Sequence, residues 1–307
     1  VIDNTVAKII RYKNEKSYNY QFLVDAFSSD KKDTTNKETK PWDIRFDGFQ
    51  LVDVDFTYRD QHDSSIVDGL NYWDLRLKNT NASIGNIYFK SDTIYANIQQ
   101  LSAKEKSGFV LGNLSCVATI SSSFTKLDNL KIKTEKSDIS TDLLFTYSAY
   151  DDYNDFIEKV SMKASFDKTV INFKDIAYFS PELKGVENTI LFSGSVKGKV
   201  DNLKGNDVVI SFGNNSFYNG NFSFKGLPNI DETFMVVDVS KMSVNKSDIE
   251  SLPIPPFSKG EKVKLPPNTA MLGQMNFKGN FTGFISDFVA YGTFNSAIGR
   301  IDADLSM

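Results

Sequence analysis

Apolar and polar residues alternate along most of this chain. Val52, Val54, Phe56 and Tyr58 interleave with Asp53, Asp55, Thr57 and Arg59. Ile139, Thr141, Leu143, Phe145 and Tyr147 share one parity, as do Val160, Met162, Ala164 and Phe166. The period returns at Ile190, Phe192, Gly194 and Val196, at Val208, Ile210 and Phe212, at Met275, Phe277, Gly279 and Phe281, and at Ile301, Ala303 and Leu305. A period of two puts apolar side chains on one face of a strand and polar ones on the other. Turn residues interrupt these runs about every 8 to 12 positions, which is the spacing of an all-β chain. Helical periodicity is confined to Ala149 to Val160, with Tyr153, Phe156, Ile157 and Val160 three or four apart, and to a short turn over Asp175 to Leu183 broken by Pro181.

Two stretches leave the pattern. Residues 28–40 carry no large apolar side chain and predict a mobile surface loop. Residues 246–273 hold Pro253, Pro255, Pro256, Pro266 and Pro267, five of the eight prolines. Proline removes ladder donors, so this is an excursion from the sheet. Its Leu252, Ile254, Phe257 and Leu265 predict that it packs back on the protein. Glycines recur beside alternating apolar residues around Gly194, Gly198, Gly226, Gly279 and Gly283, which marks bends or bulges that curl a sheet.

One strand per 12 to 15 residues outside the two loops predicts roughly 18 to 22 strands, and at ~4.8 Å each a single sheet of ~90 to 100 Å. Its apolar face must be covered. Sandwiches, a closed barrel and an open curved trough holding an apolar ligand all satisfy that need. The alternation shows no composition break at the spacing that would separate sandwich domains, and the apolar parity is rich in the 25 phenylalanines while Trp is limited to Trp42 and Trp73.

Composition narrows the chemistry. Of 307 residues 40% are hydrophobic and 24% charged, and 35 basic against 39 acidic residues give a net charge of -4. Binding to a phosphate backbone calls for a basic excess, so nucleic acid is not an expected partner. One histidine, His62, and one cysteine, Cys116, cannot form a Cys/His zinc site or an internal disulfide. His62 sits in a polar run that offers nothing to bury it. Cys116 alternates with Leu114, Ala118 and Ile120 and reads as a buried small residue. Asp151 with Asp152, and Asp53, Asp55 and Asp60, are carboxylate groupings, but Asp53 and Asp55 lie opposite the apolar parity and are expected in water. No nucleophile, base or metal set emerges, so the chain is not expected to be an enzyme or to carry a cofactor. No run of about 18 apolar residues is present to cross a membrane as a helix. The chain starts on Val1 and stops within an alternating run, and is expected to be a piece of a longer protein.

The order of several segments resembles the AsmA-like superfamily, and within it the TamB (translocation and assembly module) family of the Bacteroidota type, in its amino-terminal periplasmic portion. The residues that carry the resemblance are Tyr20 to Phe27 before a charged loop; Trp42 to Phe46 leading to Val54 to Asp60; Glu105 to Phe109 and Leu111 to Ser115; Asn129 to Thr134 with Ser137 and Asp138; Ala177 to Leu183; and Asn276 to Gly283. The resemblance implies one continuous β-groove segment over 1–307, a long curved sheet trough (taco-like) with one or two short helices. It implies a protein of the periplasm, held in the inner membrane by an anchor outside this segment. The function implied is a bridge whose apolar groove carries phospholipid between inner and outer membrane. The alternative implied role is a scaffold for outer-membrane β-barrel assembly, acting with a BamA/TamA-type barrel through the rest of the chain. The expected lipid groove is the apolar parity: Phe56, Leu75, Leu77, Ile94, Ile98, Leu143, Phe145, Phe192, Val196, Phe222, Phe224, Phe277, Phe281 and Phe294.

Overall fold

The computed structural model describes residues 1–27, 43–63 and 67–306. The fold is all-β: the described residues form sixteen strands in one open hydrogen-bonded sheet, in chain order from β3 onward, with short helices between them. The stretch 28–40 lies outside the described residues. Two compact units divide the chain, Val1–Thr119 and Ile120–Met307.

In the first unit, β1 (Ile2–Asp3) and β2 (Val6–Arg11) lie parallel to β3 (Asp43–Asp60). A short helix, α1 (Gln21–Phe27), follows β2. Then β3, β4 (Asp74–Lys90) and β5 (Thr93–Glu105) form an antiparallel meander ahead of β6 (Val110–Ile120). The second unit continues with β7 (Phe124–Thr134), β8 (Asp138–Thr146), β9 (Ser161–Asn172), β10 (Thr189–Lys199) and β11 (Asn202–Phe212). It closes with β12 (Ser216–Lys225), β13 (Phe234–Val244), β14 (Met275–Phe284), β15 (Asp287–Ser296) and β16 (Gly299–Ser306). These strands pair antiparallel with their chain neighbours.

Two expectations are corrected. Sixteen strands replace the eighteen or more expected, because strands run as long as 18 residues in β3 and 17 in β4. Bulges let such a strand bend without ending. Helices also exceed one or two: the described residues hold α1, α2 (Phe156–Lys159), α3 (Phe173–Ile176) and α4 (Lys246–Glu250), besides five 3₁₀ turns. The helix expected over 149–160 is a 3₁₀ turn, Tyr150–Asp155, followed by the single turn of α2.

One device bends the strands in both units. Asp53, Asn79, Asn129, Lys168 and Asp207 have positive φ, near 50°. Asp and Asn tolerate that region better than other non-glycine residues. An extra residue in one strand leaves its N–H outside the ladder. A neighbouring strand supplies a side-chain acceptor each time. Asp53 N–H donates to Asn81 Oδ1 (3.1 Å), Asn79 to Asp55 Oδ1 (3.2 Å), and Asn129 to Asp142 Oδ1 (2.8 Å). Lys168 donates to Ser193 Oγ and Asp207 to Asn221 Oδ1, both at 2.9 Å. The residue after each bulge is buried: Val54, Thr80, Leu130, Thr169 and Val208 are 0 to 4% exposed. Most buried hydrophobic strand residues of each unit, Ala82, Ala164, Phe192, Val196 and Val239 among them, share the face of these side chains, here termed the inner face.

A second device recurs at one end of the second unit. Asn172 begins α3 and Asn245 begins α4, each with an aspartate three residues later, Asp175 and Asp248. Each aspartate reaches a hairpin turn two strands back. Ser137 Oγ donates to Asp175 (2.6 Å) and accepts from Asn172 N–H (3.0 Å). Ser216 Oγ donates to Asp248 (2.7 Å) and accepts from Asn245 N–H (3.3 Å). Thr134 Oγ1 adds a bond to Asp175, and Asn214 N–H, Asn215 N–H and Asn245 Nδ2 add three to Asp248. Burial alone would raise the Asp248 carboxyl; these donors outweigh it and hold it below the usual carboxylate range. The proline-rich stretch 246–273 folds back on the protein: Asn188 Nδ2 donates to Ser251 O, and the Phe257 carbonyl lies against Gly185 so closely that a β-carbon there would overlap it.

Candidate functional site: an apolar sheet face

Directly opposed residues in an antiparallel ladder share a face. The register therefore sorts the expected groove residues. In the second unit one row crosses β7 to β16: Leu127, Leu143, Ala164, Val196, Gly205, Phe222, Val237, Phe281, Ala290 and Leu305. A row on one side of it holds Phe145, Met162, Gly198, Leu203, Phe224, Met235, Gly283 and Phe288. Nearer the opposite strand ends runs Thr169, Phe192, Ile210, Tyr218, Met242, Phe277, Phe294 and Ile301. All nine expected residues of this unit fall on these three rows. In the first unit, Phe56 opposes Leu77, Tyr58 opposes Leu75, Ile84 opposes Ile98 and Phe89 opposes Ile94. Those five expected residues also share one face, which continues to Ile44, Phe46 and Phe49, 37 to 55% exposed.

The face of the second unit is graded. Ala164, Phe192, Val196 and Val208 are buried together and bring in Leu143, Phe166, Leu203 and Phe222. Phe192 meets Phe166 edge-on at 5.2 Å between ring centres. Phe192 and Val196 are thus core rather than open surface. Phe145 is covered by Phe156 (5.4 Å) and Tyr153 (6.4 Å) from the segment before β9. Farther along, Phe222, Phe224, Phe277, Phe281 and Phe294 are only half-buried. Phe222 stacks on Phe224 at 4.5 Å and Phe281 on Phe288 at 4.8 Å. On β16 Ile301 and Leu305 are 60% and 58% exposed.

Glycine lets these rings lie flat on the sheet. A β-carbon on Gly205 would overlap the Phe222 ring. Gly279 and Gly292 oppose each other, and a β-carbon on either would overlap the other strand's carbonyl. A polar group among these rings is Tyr218, whose hydroxyl lies 2.8 Å from the Asn221 carbonyl and 3.1 Å from that of Asp238. Burial, aided by the Asp238 charge, pushes it up to about 12. This phenol stays neutral, so the face offers an uncharged surface.

The row-mates Met242, Leu203, Tyr218 and Phe288, and Val239 between Gly220 and Gly279 on the same face, are not among the expected groove residues. A bulge between Val239 and Met242 shifts the parity, and only counting across it places both on the inner face. Val236 falls outside, 39% exposed, beside an inner Val237.

Other singled-out residues are structural. Asp60 is buried, paired with the Arg11 guanidinium, and hydrogen bonding to Arg11 holds it below the usual carboxylate range. His62 is exposed; its backbone N–H donates to Asp60 Oδ1 and its Nε2 lies 2.9 Å from Lys13 O. Asp53 and Asp55 serve the bulges, Asp53 accepting also from Asn79 Nδ2 at 2.6 Å. Cys116 is buried and its thiol is pushed up by burial. Among the described residues no group of three His, Cys, Asp or Glu side chains is placed to hold a metal ion, and no helix is long and apolar enough to cross a membrane. A cavity of about 600 Å³ lies by Val170, Leu191, Ser211 and Phe217, which are opposed in register on the other face. Its lining bears no charged side chain.

No protein-family model, curated protein or solved structure matches the chain.

Proposed function

We propose that the inner face holds lipid acyl chains and that the protein carries lipid without chemical change. The supporting observation is the set of three adjacent rows in the second unit, aromatic and aliphatic, half-exposed from β12 to β16. Ten strands span about 40 Å at ~4.8 Å per step, and a lipid tail spans roughly 15 Å, half a bilayer core. Each CH₂ withdrawn from water contributes ~0.8 kcal/mol, so tails bind such a face without a shaped pocket. Tails can shift along it because no row carries a charge. The resemblance to AsmA-like proteins supplies the setting: phospholipid moving through the periplasm between inner and outer membranes. The test is native purification followed by lipid extraction and mass spectrometry against a mock preparation. Phospholipid at a molar ratio of one or more, lost in a folded Phe281→Asp variant, supports the reading. A stable, lipid-free protein overturns it.

A further inference from the structure

The polar face of the second unit carries a charge pattern that neither folding nor lipid carriage uses. Lys163, Lys197 and Lys204 are directly opposed across β9, β10 and β11. All three are exposed. Like charges in directly opposed positions destabilise a sheet. Elsewhere lysines meet carboxylates: Lys106 with Asp74, Lys126 with Asp128 and Lys159 with Asp155, at 2.7 to 2.8 Å. Among the described residues no carboxylate lies within ion-pair distance of the three.

Ordinary explanations do not cover this row. Lysines protect the edge strands of sheets, but β9, β10 and β11 are interior. Solvation alone is served by mixed signs, and the chain's net charge is -4. Here the signs are segregated. Beside the lysines run Ser165, Ser195 and Asn206, themselves opposed in register, and the same row ends on Asp142, opposite Ser165 on β8. Beyond them stand Asp167 and Asp207, next to or on the bulges.

We infer that this row is a binding lane for a linear, phosphate-bearing polyanion lying across the strands. Three lysines on strands spaced ~4.8 Å apart present a repeating positive charge along a line. Lysine binds phosphate as a point charge and sets no fixed geometry on its ligand, which suits a chain of repeated anionic groups. The hydroxyls of Ser165 and Ser195 add neutral donors beside the lane. The aspartates beyond limit its width, which suits a chain; the plane of an anionic bilayer would press its phosphates onto those carboxylates as well.

The test is binding of linear inorganic polyphosphate to the full chain by fluorescence anisotropy, across a salt series. The Lys163→Gln/Lys197→Gln/Lys204→Gln variant is compared with Lys136→Gln/Lys259→Gln/Lys262→Gln, which removes equal charge elsewhere. The lane predicts at least tenfold weaker binding and a shallower salt dependence in the first triple, and less than threefold change in the second. Circular dichroism of the first triple should match the parent. Absence of binding, or equal loss in both triples, overturns the inference. Binding to phosphatidylglycerol vesicles but not to polyphosphate overturns it too, in favour of a membrane surface.

Discussion

The two units bend their strands by the same device with different residues. In Val1–Thr119 the bends at Asp53 and Asn79 each hand a stray N–H to an Asn or Asp on the neighbouring strand. In Ile120–Met307 the device recurs at Asn129, Lys168 and Asp207, and opposed glycines stand without a bulge at Gly279 and Gly292, as they do at Gly48 and Gly85 in the first unit. The difference teaches that curvature is set strand by strand. A polar bulge needs an acceptor on the polar face, so it fixes what that face must carry. An opposed glycine pair needs none, and its missing side chains leave room for rings on the apolar face.

The comparison can be broken most severely on the inner side of a bend. Val208→Asp places an unpaired charge at a fully buried point of the second unit, and a loss of more than about 4 kcal/mol is expected. Urea denaturation should then show no cooperative transition for that unit. Gly279→Val puts side-chain atoms into the opposite strand, at about 2–3 kcal/mol, read as a lower urea midpoint.

Asp248→Ala frees four donors and should destabilise by about 2–3 kcal/mol. The same site gives a pH dependence. Its carboxyl is lowered in the folded state relative to 3.8, so the stabilisation is present above that value and is lost as pH falls through the folded value. Melting curves at pH 6 and pH 3 should differ more for the parent than for Asp248→Asn. Removing a bulge acceptor is milder. Asp142→Ala in one unit and Asp55→Ala in the other should each cost about 1 kcal/mol, with equal effects if the device is the same. The smallest effect is expected at the opposed lysines, where neutralisation leaves stability within about 0.5 kcal/mol or raises it.

Much of this was legible in the sequence because period-two alternation is a local signal. It placed all fourteen expected groove residues on one face of their own unit. It did not show which are closed over. Phe145, Phe192 and Phe281 look alike in sequence, yet Phe145 lies beneath Tyr153 and Phe156, Phe192 is core, and Phe281 keeps a half-open ring. Parity also fails silently at a bulge, which hid the inner role of Met242 behind Ser240 and Lys241. The Asn-x-x-Asp spacing of residues 172–175 and 245–248 is visible, but its partners Ser137 and Ser216 lie 38 and 32 residues from the aspartates and become neighbours only through register. In the lysine row Lys197 and Lys204 face each other across one hairpin, but Lys163 joins them only through register.

The sidedness of lipid contact is the most direct test of the proposed function. A photo-crosslinking benzophenone amino acid would replace Phe281 or Phe294 on the inner face, and Val236 or Tyr291 on the polar face, one at a time. After irradiation of the protein with its native lipid, mass spectrometry reads the adducts. Acyl adducts at the two inner positions, with little at the two outer ones, are predicted. Equal labelling of both faces, or none at Phe281 and Phe294, would contradict an inner face that holds lipid.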